Sequence, residues 1–154
     1  SFSGGFKYKG FEVNLLFQGV GKYSKTISGV GAYESEYQGV FTDLHLKAWT
    51  PERWNNGEEI TYPALSLKAS TNHQPNSFFI MDASYLRLKN AEVAYTLPLN
   101  TSKKVFAEKI RFSLSGQNLF TIDNMRSKHI DPEIANMGTF QPYRVYNIGV
   151  SLTF

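Results

Sequence analysis

Cysteine is absent from the 154 residues, which removes disulfide frameworks and thiolate metal sites from consideration. No apolar stretch approaches the roughly 18 residues that a membrane-crossing helix needs. Clustered positive charge is missing too. The nearest case is Lys103-Lys104, so the net charge of +3 is too diffuse to indicate nucleic acid as a partner. The three histidines, His45, His73 and His129, are scattered and show no metal-ligand spacing. No Gly-x-Ser-x-Gly element and no phosphate-cradling glycine loop occurs, and Gly29-Val30-Gly31 lacks the flanking strand and helix that would give it meaning. These absences point to a non-enzyme, with no catalytic residues, metal or cofactor.

Aromatic residues are abundant at 15%, with 12 Phe and 9 Tyr. They fall in segments of period-2 alternation, the mark of strands with two unlike faces. The last eight residues are the clearest case. Ile148, Val150, Leu152 and Phe154 share one face; Asn147, Gly149, Ser151 and Thr153 share the other. Similar strands are predicted at about Phe2 to Tyr8, Phe11 to Val20, Ser84 to Leu97, Ile110 to Thr121 and Tyr143 to Phe154. Lys9-Gly10 is predicted as a tight turn, with Gly10 supplying positive φ. On the third strand Ala91, Val93, Tyr95 and Leu97 form the apolar face, and Arg87 and Lys89 fall on the same parity.

The connections alternate in length: a two-residue turn, a stretch of about sixty residues, a connector of about ten, and a stretch of about twenty. The connector carries an expected helical turn at Ser102 to Phe106, and the long stretch another within Glu34 to Leu46. Short–long–short–long is the rhythm of an up-and-down membrane barrel. The mean hydropathy of −0.31 does not oppose this, since half of such a strand faces a polar lumen. About five strands are too few to close a barrel, and Ser1 starts inside an alternating segment, so the chain reads as a mature piece or fragment of something larger. The residues alone leave a rival open. A soluble β-sandwich that binds carbohydrate through Trp49 and Trp54 has similar composition.

Ordered motifs then add a family resemblance. Asp82-Ala83-Ser84-Tyr85-Leu86-Arg87-Leu88-Lys89-Asn90 followed by Ala94-Tyr95-Thr96-Leu97-Pro98 resembles a late-barrel signature of the SusC/RagA family of TonB-dependent outer-membrane transporters. Gly116-Gln117-Asn118-Leu119-Phe120-Thr121, Asp131-Pro132-Glu133 and Pro142-Tyr143-Arg144 follow in the family's order. Lys9-Gly10-Phe11-Glu12, Leu16-Phe17-Gln18-Gly19 and Trp49-Thr50-Pro51-Glu52 are similar to its upstream elements. Asn147, Gly149, Leu152 and Phe154 resemble the C-terminal assembly signal of bacterial outer-membrane proteins.

The resemblance implies an all-β, antiparallel transmembrane segment of about five C-terminal strands from a barrel of about 22. Residues 1–154 would be the C-terminal part of the receptor barrel, with extracellular loops at about 21–82 and 122–142. It implies the cell outer membrane, a multi-pass barrel, and import of oligosaccharides or peptides energised by the TonB complex. Implied partners are a SusD-like surface lipoprotein, the TonB complex through parts absent here, the barrel assembly machinery and outer-membrane lipid. Phe112, Leu114, Val93, Tyr95, Ile148 and Val150 are expected to face lipid. Tyr33, Tyr37, Trp49, Trp54 and Tyr62 are candidate loop contacts to cargo or lipoprotein, or else the loop's own small core. The pair Asp131 and Glu133 suggests carboxylate chemistry or calcium, against a plainer reading as a proline-shaped loop.

Overall fold

The structure is a computed structural model and describes every residue except Val30, 35–39, Ala69, Lys103, Val105, Lys128, Ala135 and Met137. Its strands are β1 (Phe2–Tyr8), β2 (Phe11–Val20), β3 (Ser24–Thr26), β4 (Ile80–Asp82), β5 (Tyr85–Thr96), β6 (Lys109–Asp123) and β7 (Val145–Thr153). Two short helices are α1 (Pro51–Asn55) and α2 (Leu99–Ser102). The chain divides into two units. One comprises Ser1–Val20, Tyr85–Ile122 and Pro142–Phe154; the other comprises Gly21–Ser84 and Asp123–Gln141.

The first unit is one open sheet in the order β1-β2-β5-β6-β7. Strands consecutive within the unit are therefore neighbours, and β1/β2, β2/β5 and β6/β7 are antiparallel. Lys9 and Gly10 join β1 to β2 with φ of 45° and 88°, the two left-handed residues of a type I′ turn, whose twist suits a hairpin. Gly10 also accepts the Thr96 N–H on its carbonyl, at 2.8 Å.

The alternation predicted for β5 slips once. Phe11, Val13 and Leu15 of β2 stand opposite Tyr95, Val93 and Ala91, but Phe17 stands opposite Leu88 and Gly19 opposite Leu86. One extra residue in β5 has been taken up as a β-bulge, which reverses side-chain parity beyond it. The expectation that Arg87 shares the apolar parity is thereby corrected. Leu86 and Leu88 take the apolar side, and Arg87 turns to the face of Gln18, where it is 1% exposed and its Nε donates to Thr121 Oγ1 at 2.9 Å. Tyr85 follows it, and its hydroxyl accepts from Gln18 Nε2 at 3.2 Å.

The helical turn expected over Ser102 to Phe106 is found earlier, at Leu99–Ser102, where Pro98 supplies the first carbonyl: it accepts from the N–H groups of Thr101 and Ser102 at 2.9 and 3.2 Å. Lys103 and Val105 lie outside the described residues. The last strand begins at Val145 rather than Tyr143, because Tyr143 O is engaged by the side chain of Asn118 at 3.0 Å.

The second unit has its own core of Ile27, Leu44, Tyr62, Phe79, Met81 and Met125, among others. The β3–β4 pair is its only sheet among the described residues. Thr50 caps α1 by accepting the Arg53 N–H at 3.2 Å, with Pro51 in the first helical position. Gly57, at φ 67°, ends it. The N–H groups of Gly57 and Glu58 donate back to Trp54 O and Arg53 O, which is a Schellman closure.

Replacing Gly10 with Ala is expected to destabilise the first hairpin by about 1–2 kcal/mol, since the residue must keep positive φ. Its new Cβ would also lie 2.6 Å from Thr96 O. Urea unfolding of the full-length protein, compared with a Lys9→Asn control that tolerates left-handed φ, measures this.

Candidate functional site

The sheet of the first unit has two chemically distinct faces. On one, Phe112 stands opposite Val150, Leu114 opposite Ile148, Val93 opposite Val13 and Tyr95 opposite Phe11. All six residues expected to face lipid thus share a side and occur in cross-strand pairs. Phe11 and Tyr95 touch with ring centroids 4.4 Å apart, and Phe2 stacks on Phe17 at 4.8 Å. Ile148 is 86% exposed and Val150 is 58% exposed. Among the described residues no second sheet covers them within this unit, whereas a β-sandwich buries such a face.

The other face is polar and cross-linked. Glu12 accepts from Lys7 at 3.0 Å and sits 3.5 Å from Arg111, which also pairs with Glu92. Four neighbouring strands, β1, β2, β5 and β6, are tied together by these charges, and Ser113 Oγ donates to Gly149 O at 3.5 Å. A Cβ at Gly149 would lie 2.8 Å from Ser113 Oγ, so that hydroxyl would have to turn aside. A concavity of about 520 Å³ is lined by the polar residues Ser3, Asn14, Asn90, Glu92, Ser115 and Gln117 together with the apolar Leu15, Leu16 and Ala91. Of the residues read as an assembly signal, Asn147 and Gly149 lie on the polar side opposite Ser115 and Ser113. Leu152 lies on the apolar side opposite Ile110, and Phe154 follows the end of β7 and is exposed.

In the second unit the candidate contact residues separate. Trp54 is exposed on α1, at 68%, and Trp49 is also exposed. Tyr33 packs against the core with its ring edge-on to Phe79 and His73. Tyr62 is buried at 3% exposure, so of its two expected readings it takes the one in the loop's own small core and not that of a surface contact. Its hydroxyl lies 3.0 Å from both Ala32 O and Glu34 Oε2. Tyr37 lies outside the described residues. The Asp131-Pro132-Glu133 element is a tied loop: Asp131 Oδ1 accepts the Glu133 N–H at 2.9 Å, and Lys25 Nζ donates to Glu133 O at 2.5 Å.

A buried polar cluster, unforeseen from the sequence, organises the unit. Glu34 accepts from His73 Nε2 at 3.1 Å, from the Ser66 N–H at 2.8 Å and from Tyr62. Burial would push the Glu34 carboxyl up, but these bonds and its own backbone N–H together hold it below the usual range. The Tyr62 hydroxyl is pushed well above its ordinary value by burial and by the facing carboxylate. The spacing Thr42-x-x-His45 and Ser70-x-x-His73, a capping box with histidine in place of the usual glutamate, marks the two tight turns that carry the histidines but not their meeting with Glu34.

The chain as a whole is similar to known proteins. A "TonB-dependent receptor P3" of Formosa agariphila is 29% identical over 171 residues, covering 99% of this chain and 16% of the relative. A "TonB-dependent receptor P26" of the same organism is 31% identical over 134 residues, 85% of this chain and 13% of the relative. The RagAB peptide importer, solved in an "open-open" state, superposes on 99% of this chain and 16% of its own at TM-score 0.69 and 23% identity. Its "closed-closed" state gives 0.67 over 99% of this chain and 17% of its own. No family model matches the chain.

The chain is similar to a segment of TonB-dependent receptors, and it shares its fold with part of the RagAB importer. It is an outer-membrane β-barrel segment, and it spans about a sixth of the length of the curated relative that it matches over 99% of its own length.

In the second unit, Tyr62→Phe is expected to cost about 1–3 kcal/mol, because it leaves Glu34 and Ala32 O short of a buried donor. Hydrogen exchange of the full-length receptor should show faster exchange at Trp49, whose N–H donates to Tyr62 O at 2.9 Å, with no change in β6.

Proposed function

We propose that these residues form part of the wall and outward loops of a TonB-energised outer-membrane importer of peptides or oligosaccharides. The carrying observation is the sheet's division into a paired apolar face and a charge-linked polar face, which suits lipid outside and a polar lumen inside. The names of the similar proteins support the transport class. In this reading the Lys9-Gly10 turn and the Leu97-to-Glu108 connector face the periplasm, and residues 21–82 and 122–142 face outward. Phe112, Leu114, Val93, Tyr95, Ile148 and Val150 contact lipid, and the terminal Asn147, Gly149, Leu152 and Phe154 are read by the barrel assembly machinery. Trp49 and Trp54 contact cargo or a SusD-like lipoprotein, which closes over the outer loops. The TonB complex acts through parts of the receptor beyond these residues.

Uptake of labelled peptide and oligosaccharide mixtures by cells with and without the full-length receptor tests the function. Uptake should require both the receptor and TonB, and uptake unaffected by loss of either would sink the importer reading. Val150→Lys is expected to lower outer-membrane abundance sharply, at about 2–4 kcal/mol for a lysine facing mid-bilayer. Ser151→Lys, one residue away on the polar face, should be tolerated. Quantitative immunoblots of outer-membrane fractions distinguish the two.

A further inference from the structure

His45 is 4% exposed, in a 3₁₀ turn spanning Asp43–His45. Its Nδ1 lies 2.8 Å from the backbone nitrogen of Thr42. A backbone N–H can only donate, so Nδ1 must be the bare nitrogen and the ring proton must sit on Nε2. That Nε2 is buried and has no hydrogen-bond partner among the described residues. Tyr62 meets the ring edge-on at 4.5 Å and Phe41 at 5.7 Å. The charged groups that act on it are the carboxylates of Glu34 and Asp43, and Asp43 is itself held by Ser127 Oγ at 2.6 Å.

The twin turn at Thr71–His73 makes the comparison instructive. His73 Nδ1 likewise accepts from the Ser70 N–H, at 3.0 Å, but its Nε2 has Glu34 as acceptor. His45 has no such acceptor, so a second proton on its ring has nowhere buried to be satisfied.

We propose that His45 is an acid-sensitive pin of the loop unit: its protonation breaks the Thr42 cap and loosens the 40–50 segment, which presents Phe41, Leu46 and Trp49 at the surface. A proton arriving at Nδ1 removes the acceptor of the Thr42 N–H and puts a charge among aromatic rings. Burial, the largest influence, depresses His45 below its ordinary value of 6.5, while Glu34 and Asp43 pull the other way without reversing it. The unfolded segment therefore takes up this proton at higher pH than the folded one. The stability that neutral His45 contributes is full above about 6.5 and is lost progressively as pH falls below it.

Hydrogen exchange of the full-length receptor in detergent, corrected for the intrinsic pH dependence of exchange, tests this. Protection of peptides covering 40–50 should be lost progressively between pH 7.5 and 5.0, with β6 unchanged. His45→Asn keeps an acceptor near the Nδ1 position but cannot titrate, and its protection should stay level over the same range. Level protection in the wild type, or an equal fall in the wild type and His45→Asn, overturns the proposal. If His45→Asn is already unprotected at pH 7.5, His73→Asn decides. Retention of the acid loss there supports the pin at His45, and its disappearance overturns it.

Discussion

A wall one strand thick has no interior, so every side chain belongs to one face or the other, and strand pairing must hold both faces in phase. The rest of the first unit depends on that constraint. Apolar partners such as Phe112 and Val150 face each other across the ladder, while Glu12, Glu92 and Arg111 link three strands on the reverse. Neither face can be assembled from one strand alone. A register slip of one residue would exchange them, which costs far more than any single contact in the wall.

The second unit solves the opposite problem. Its chain has little regular structure to satisfy backbone groups, so side chains do that work. Histidines cap two tight turns, Thr50 caps α1, and the Glu34 carboxylate gathers donors from His73, Ser66 and Tyr62. The buried aromatic residues around them supply the apolar mass. Such a core is specific because its polar members accept few alternatives, and it is exposed to pH for the same reason.

The strands of the wall were legible because a two-faced sheet writes its period directly into the residues, and the Lys9-Gly10 turn because positive φ selects glycine. The bulge in β5 was not foreseen, although its trace is visible: Leu86 and Leu88 are out of phase with Ala91, Val93 and Tyr95. A period read from one end carries its parity past the slip. Helix α1 also had legible ends in Thr50-Pro51 and Gly57, but it is too short to display an apolar period. The Glu34–His73–Tyr62 cluster joins residues far apart in the chain, and spacing along the chain does not encode such a meeting. The burial of Tyr62 follows from it, whereas composition alone would place a loop tyrosine on either side.

The bulge has a consequence for height. Without it the apolar face of β5 would end at Ala91, four ladder steps from Tyr95, or about 13 Å of strand. With it, the face continues through Leu88 to Leu86, opposite Gly19. That makes eight steps, about 26 Å along the strand and about 20 Å along the membrane normal at the usual tilt. One additional residue thus lengthens the apolar band of this strand and moves a permanent positive charge to the opposite face in the same step, which in the proposed barrel is the side away from lipid.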